Sequence, residues 1–135
     1  MSTISVVDEN MEQIIKPTEA EMEILNILWA DGPATVREVH EKLAQTKDAG
    51  YTTTLKQMQV MLEKKLVNRD ASSKTHVYKA LVNKEQTQGQ FLQRMIDTVF
   101  NGSAMNMVMQ ALGNKKTSKA EVELIKAYLK EKTKE

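Results

Sequence analysis

Between Tyr51 and Lys65 the chain sets Thr52, Thr53, Lys56, Gln57 and Gln59 within eight residues of one another. Threonine and glutamine can hydrogen-bond to base edges, lysine can reach guanine or a phosphate, and the major groove of duplex DNA admits one helix. In the same segment Leu55, Met58 and Leu62 stand three or four residues apart, the spacing of a single helix face. Those three claim the core. Thr52, Thr53, Lys56, Gln57, Gln59 and Val60 are left on the opposite side. A pair of capping threonines on an ordinary polar helix would read the same way, and the residues alone divide the two readings evenly.

Three further basic positions fit contacts to a phosphate backbone. Thr35, Arg37 and Lys42 lie on or near the preceding helix, where helix N-termini and cations position a protein on DNA without specifying sequence. Lys74 occupies the tip of a polar loop, where it can reach a phosphate or simply stand in solvent. Other chemistry is poorly supplied. No nucleophile stands beside a base, no carboxylates are paired, and the five glycines form no phosphate loop, with Gly32, Gly50, Gly102 and Gly113 all at helix ends. No catalytic residue and no cofactor is expected. His40 and His76 stand alone without cysteine or carboxylates at ligand spacing, so no metal site is expected. Met105, Met107 and Met109 could suit a soft ion such as copper(I), but methionine is also the adaptable filler of helical interfaces.

The elements that must hold these residues are legible from caps and periodicity. After Pro17, Thr18 and Glu21 form a capping box and Met22, Leu25, Ile27, Leu28 and Trp29 carry a first helix to about Ala30. Asp31-Gly32-Pro33 stops it. Thr35 and Glu38 repeat the box, and Val36, Val39, His40 and Leu43 line a second helix that ends before Asp48. A third helix opens at Tyr51. Leu66-Val67 and Thr75–Val82 then suit short strands around a polar loop over Asn68–Lys74. Three helices followed by a hairpin is the order of a winged helix-turn-helix. Trp29 and Tyr78 are expected to tie the first helix to the wing.

Beyond Val82 the chain reads as helical, with starts at Asn83 and Ser118 and breaks at Asn101-Gly102 and Gly113-Asn114. Apolar stripes over Leu92, Met95, Ile96 and Val99, then Val108 and Leu112, then Val122, Ile125 and Leu129, have little of their own to bury against. They predict a homodimer interface, each stripe meeting that of a second copy. The expected fold class is therefore mainly α with a small β-wing. Residues 1–16 form a flexible arm, 17–82 the winged-helix DNA-binding domain and 83–135 a helical dimerisation domain.

Composition agrees. With no cysteine the chain has no disulfide and no thiolate site, and no apolar stretch is long enough to span a membrane. This fits a cytoplasmic protein. The net charge of +1 hides an uneven distribution, since residues 35–80 carry nine positive and five negative side chains while residues 1–34 carry one and seven. A locally positive face on a near-neutral protein is a modest pointer to nucleic acid.

The stretch Pro17–Trp29 (PTEAEMEILNILW), the segment Tyr51–Val67 (YTTTLKQMQVMLEKKLV) and His76-Val77-Tyr78 resemble the penicillinase-repressor family, BlaI/MecI/CopY, over residues 16–82. The resemblance implies a winged-helix transcriptional repressor that occupies an inverted-repeat operator, rich in TACA/TGTA half-sites, as a homodimer. It implies double-stranded operator DNA as partner, and a membrane sensor protease or other inducing protein as the agent of release. Three departures stand out. Lys65 occupies a position where the family usually has glycine. The Asn-Phe bond cut in the antibiotic-sensor branch has Gln110-Ala111 as its nearest counterpart, and the cysteine hook of the copper branch is absent. Proteolytic induction would place the cut between Asn101 and Asn114. The rival reading is a winged-helix module that binds another protein rather than DNA.

Overall fold

A computed structural model describes residues 16–114 and 116–134. The expected N-terminal arm, but for Lys16, lies outside the described residues. The chain divides into two compact units, residues 1–91 and 92–135.

The first unit begins with α1 (Glu19–Asp31), α2 (Val36–Ala44) and α3 (Tyr51–Glu63). Both expected capping boxes are formed. The Thr18 hydroxyl accepts the Glu21 N–H at 3.1 Å while the Glu21 carboxylate accepts the Thr18 N–H at 2.9 Å. Thr35 and Glu38 do the same at 3.1 and 2.8 Å. Each box satisfies two N–H groups that a helix start would otherwise leave without partners. Helix α3 has no side-chain cap and opens from Gly50. Gly32 closes α1 at φ 84°, ψ −171°, a backbone region open in practice only to glycine.

Strands β1 (Val67–Asp70) and β2 (Val77–Ala80) pair antiparallel, with Val67 opposite Ala80 and Asp70 opposite Val77. Together with the three helices they make a winged helix-turn-helix. The hairpin loop is shorter than the sequence suggests, since Asn68, Arg69 and Asp70 belong to β1 rather than to the polar loop. Their side chains alternate, exposed at Asn68 and Asp70 and half-buried at Arg69, as period-two pleating requires. A third segment joins the hairpin. Ala34 and Tyr78 exchange both backbone hydrogen bonds, at 2.9 and 2.8 Å, which fastens the start of α2 to the wing.

The core of this unit gathers Ile24, Leu25 and Leu28 from α1, Val39 and Leu43 from α2, and Met58 and Met61 from α3. Leu66, Val67 and Tyr78 complete it from the hairpin. Leu55 and Leu62 pack against this cluster as expected, and Met61 joins Met58 at its centre. The Trp29 indole N–H donates to the Val82 carbonyl at 3.1 Å, tying α1 to the chain just past β2.

Helix α4 (Lys84–Val99) starts with Asn83 Oδ1 accepting the Gln86 N–H at 2.9 Å, and runs across the boundary into the second unit. There α5 (Ala104–Gly113) and α6 (Lys119–Lys132) follow, capped by Ser103 and Ser118. Asn101 and Gly102, both at positive φ, turn the chain between α4 and α5. Of the nine positions expected at a dimer interface, Ile96 is buried within the single chain and so is not part of an open face. Leu92, Met95, Val99, Val108 and Leu129 are exposed, and Leu112, Val122 and Ile125 half-buried.

The departure at Lys65 has a structural counterpart. The Leu66 N–H bonds the Met61 carbonyl at 3.0 Å and the Lys65 N–H bonds the Leu62 carbonyl at 3.1 Å. This is the Schellman ending of a helix, whose left-handed residue is usually glycine. Lys65 fills it at φ 65°. A non-glycine residue there costs about 1–2 kcal/mol, and glycine in exchange loses about 0.5–1 kcal/mol of unfolded-state entropy. Lys65→Gly is therefore expected to raise stability by about 0.5–1 kcal/mol, seen as a higher urea midpoint at unchanged slope. A lower midpoint would show that Lys65 bears no strain.

Candidate nucleic-acid interface

Three elements converge beside α3. Thr35 and Arg37 stand at the first turn of α2, Tyr51, Leu55 and Gln59 on one flank of α3, and Arg69, Lys74, Thr75 and His76 on the wing. Together they line one open groove with no carboxylate among its lining residues. Its convergence follows from the Ala34–Tyr78 pairing, which sets the cap of α2 against the hairpin.

The groove is positively charged. Among the described residues Arg37, Arg69 and Lys74 have no carboxylate within 4 Å, whereas Lys42, Lys47 and Lys64 are each paired. Arg37 is held in place without losing its charge, because its guanidinium lies over the Tyr51 ring at 5.6 Å. Tyr51 in turn meets the His40 ring edge-on at 5.6 Å, and His40 Nδ1 lies 3.4 Å from the Thr54 hydroxyl. This chain of contacts locks α2 to the opening turn of α3. His40 thus has a packing role. His76 is exposed on the groove wall.

The wing loop is shaped by its own side chains. Asp70 Oδ1 accepts the Ser72 N–H at 2.9 Å, and the Ser73 hydroxyl donates to the Thr75 carbonyl at 2.8 Å. The Ser72 backbone N–H, then its hydroxyl, hold the Asp70 carboxyl below the usual carboxylate range, with Lys79 adding a smaller pull. A depressed acid stabilises the turn above its unfolded pKa and loses that contribution as pH falls through the folded one. That contribution is therefore present at neutral pH.

The residues expected to touch DNA do not all lie in this groove. Thr35, Arg37, Gln59 and Lys74 line it. Thr52, Thr53, Lys56 and Gln57 line a second depression on the other flank of α3, with Thr18, Glu21 and Val60. Thr52, Thr53, Lys56 and Gln59 are exposed and Gln57 is half-buried. Lys42 faces elsewhere, 3.6 Å from Asp31. Arg69, Thr75 and His76 were not legible as site residues. Asn68, Arg69 and Asp70 are all polar, so the alternation that marks a strand appears only in their burial.

The second flank rests on Glu21. Its carboxylate is buried, accepts the Thr18 N–H, and receives the Lys64 ammonium at 2.9 and 3.1 Å. One side chain thus caps the start of α1 and holds the end of α3. Removing Lys64 leaves a buried carboxylate with one partner fewer, although Lys64 itself is 35% exposed and water can partly replace it. Lys64→Met is expected to cost about 1–2 kcal/mol, less than the 3–5 typical of a fully buried pair. Adding Glu21→Gln to it should cost less than the sum of the single changes, as a denaturation cycle would show. Strict additivity would mean that the pair is not coupled.

Comparison with known proteins fits this geometry. The family profile described as Penicillinase repressor matches residues 17–131. The transcriptional regulator BlaI of Mycobacterium tuberculosis (strain CDC 1551 / Oshkosh) is 32% identical over 69 residues, 50% of this chain and 50% of that protein. The chain thus matches about half the length of that relative. The methicillin resistance regulatory protein MecI of Staphylococcus aureus (strain N315) is 23% identical over 115 residues, 85% of this chain and 94% of that protein. Among solved structures, a double mutant of Lactococcus lactis ZitR in its apo form aligns over 98% of this chain and 89% of its own, at 18% identity and a TM-score of 0.41.

Proposed function

Because the chain belongs to the penicillinase repressor family, we propose that it is a DNA-binding transcriptional repressor that occupies an inverted-repeat operator as a homodimer. The observation that carries this reading is the cationic groove without carboxylates, bordered by the exposed polar face of α3. Helix α3 enters the major groove and presents Thr52, Thr53, Lys56, Gln57 and Gln59 to base edges. The α2 start, with Thr35 and Arg37, and the wing, with Arg69 and Lys74, grip phosphates on either side. The protein acts where its operator lies, in the cytoplasm. No helix among the described residues is long and apolar enough to cross a membrane.

The two sets of contacts separate by experiment. Base-edge contacts discriminate between sequences by about 1–3 kcal/mol each, while phosphate contacts set affinity and its salt dependence. Lys56→Ala and Gln57→Ala are expected to weaken binding unequally across operator variants in a gel shift. Arg69→Ala and Lys74→Ala should weaken it nearly uniformly and each flatten the salt dependence by about one unit of log–log slope. Equal losses on operator and random duplexes for all four would defeat the assignment of α3. Binding without salt dependence would favour a protein-binding module instead.

The second copy is expected on the exposed apolar positions of α4, α5 and α6. Two linked reading heads gain a factor of about 100 or more over one, so any event that parts the subunits clears the operator. A membrane sensor protease or another inducing protein could act on α5, which has no buried residue and is bounded by Asn101-Gly102 and Gly113-Asn114. Leu92→Asp with Leu129→Asp, both at exposed positions, should leave the fold intact, convert a sedimenting dimer to monomer and weaken operator binding by about 100-fold. A wild-type chain that stays monomeric at high micromolar concentration would remove the dimer from this reading.

A further inference from the structure

Val60 is an aliphatic side chain of α3 without a place in the core. Met58 and Met61 are fully buried, and Leu55 and Leu62 pack against the same cluster. Among the described residues of the helix, Val60 alone of the aliphatic side chains is half-buried outside that cluster. A β-branched residue also lowers helix propensity slightly. Folding does not account for it.

Its neighbours do. Thr53, Lys56, Gln57 and Val60 follow at i, i+3, i+4 and i+7, which makes one continuous stripe along the helix. Thr53 and Lys56 on that stripe are exposed. Val60 lies with Thr18, Thr52, Thr53 and Gln57 in a shallow depression whose open surface is largely hydrocarbon, with Lys56 and the buried, Lys64-paired Glu21 also lining it. An apolar hollow one turn along from a cation, on a face otherwise made of hydrogen-bonding groups, is matched to a surface that mixes negative charge, polar edges and an isolated methyl group.

We propose that Val60 reads a thymine through its C5-methyl group. Thymine is the base that presents a methyl in the major groove, where the other bases offer only donors and acceptors. The inference rests on α3 being the recognition helix, and it names the specificity of one position on it. Lys56 and Gln57 hydrogen-bond the flanking edges, and Val60 supplies the apolar contact against which the thymine methyl packs. Burying one methyl group against such a surface changes affinity about fourfold. Two half-sites bound by a dimer would square this to about fifteenfold.

The test uses the full-length chain and a duplex that it selects from a random pool. Each thymine is replaced singly by deoxyuridine, which lacks only the methyl, and equilibrium binding is measured at fixed salt. One thymine per half-site is expected to show the fourfold loss, and Val60→Ala should bind the thymine and deoxyuridine duplexes equally. A loss that persists in Val60→Ala would overturn the proposal, because another side chain or the flexibility of the DNA would then carry it. Specific binding that no deoxyuridine weakens would also overturn it, leaving α3 as the recognition helix and the hollow to another occupant, such as a peptide segment. Failure to select any sequence would remove the repressor reading and this inference together.

Discussion

The rotation of α3 about its own axis is the constraint on which the reading surface depends. Thr54, Met58 and Met61 are sealed in the core, and Leu55 and Leu62 flank them. Fully burying a methionine-sized side chain is worth about 1.5–3 kcal/mol, so turning the helix by one residue, about 100°, would forfeit several such contacts. The outward face is then whatever remains. Thr52, Thr53, Lys56 and Gln59 are presented because the core has claimed their neighbours, without any feature that holds them outward directly.

Two links extend this constraint to the rest of the first unit. The Ala34–Tyr78 exchange of hydrogen bonds joins the α2 cap to β2, and Tyr78 is buried to 1% exposure beneath it. That single residue positions both the start of α2 and the wing, which is why Arg37, Arg69 and Lys74 share one groove. At the other end of α3, Glu21 serves as cap partner and counter-ion at once. The left-handed Lys65 follows immediately, so that Leu66 can turn back into the core. The strain at Lys65 accompanies a helix end that must stop at one defined place.

The second unit is built differently. Helices α5 and α6 have no buried residue, and large apolar side chains such as Met105, Leu124 and Tyr128 stand in solvent. Large exposed apolar areas are uncommon on monomers, and a partner that covered these side chains would take their apolar surface out of water. The first unit thus closes its own core, while the helices of the second leave apolar side chains uncovered.

Local chemistry was legible in the sequence. The capping boxes at Thr18 and Thr35, the Asn83 and Ser118 starts, and the Leu55, Met58 and Leu62 face all depend on partners within about one or two helical turns. The left-handed conformation at Lys65 was legible through the family resemblance, since a missing glycine marks the place where its conformation is needed. What only the tertiary structure decided involves partners far apart in sequence. Arg69 reads as loop until Tyr78 is found opposite it, and the Ala34 bridge to Tyr78 has no local signature at all. Glu21 and Lys64 meet across 43 residues. Ile96 looks the same as Leu92 or Val99 on a periodic stripe, yet only Ile96 is covered by its own chain. Spacing along a helix tells which side chains share a face, while burial depends on what that face meets, and only packed elements determine that.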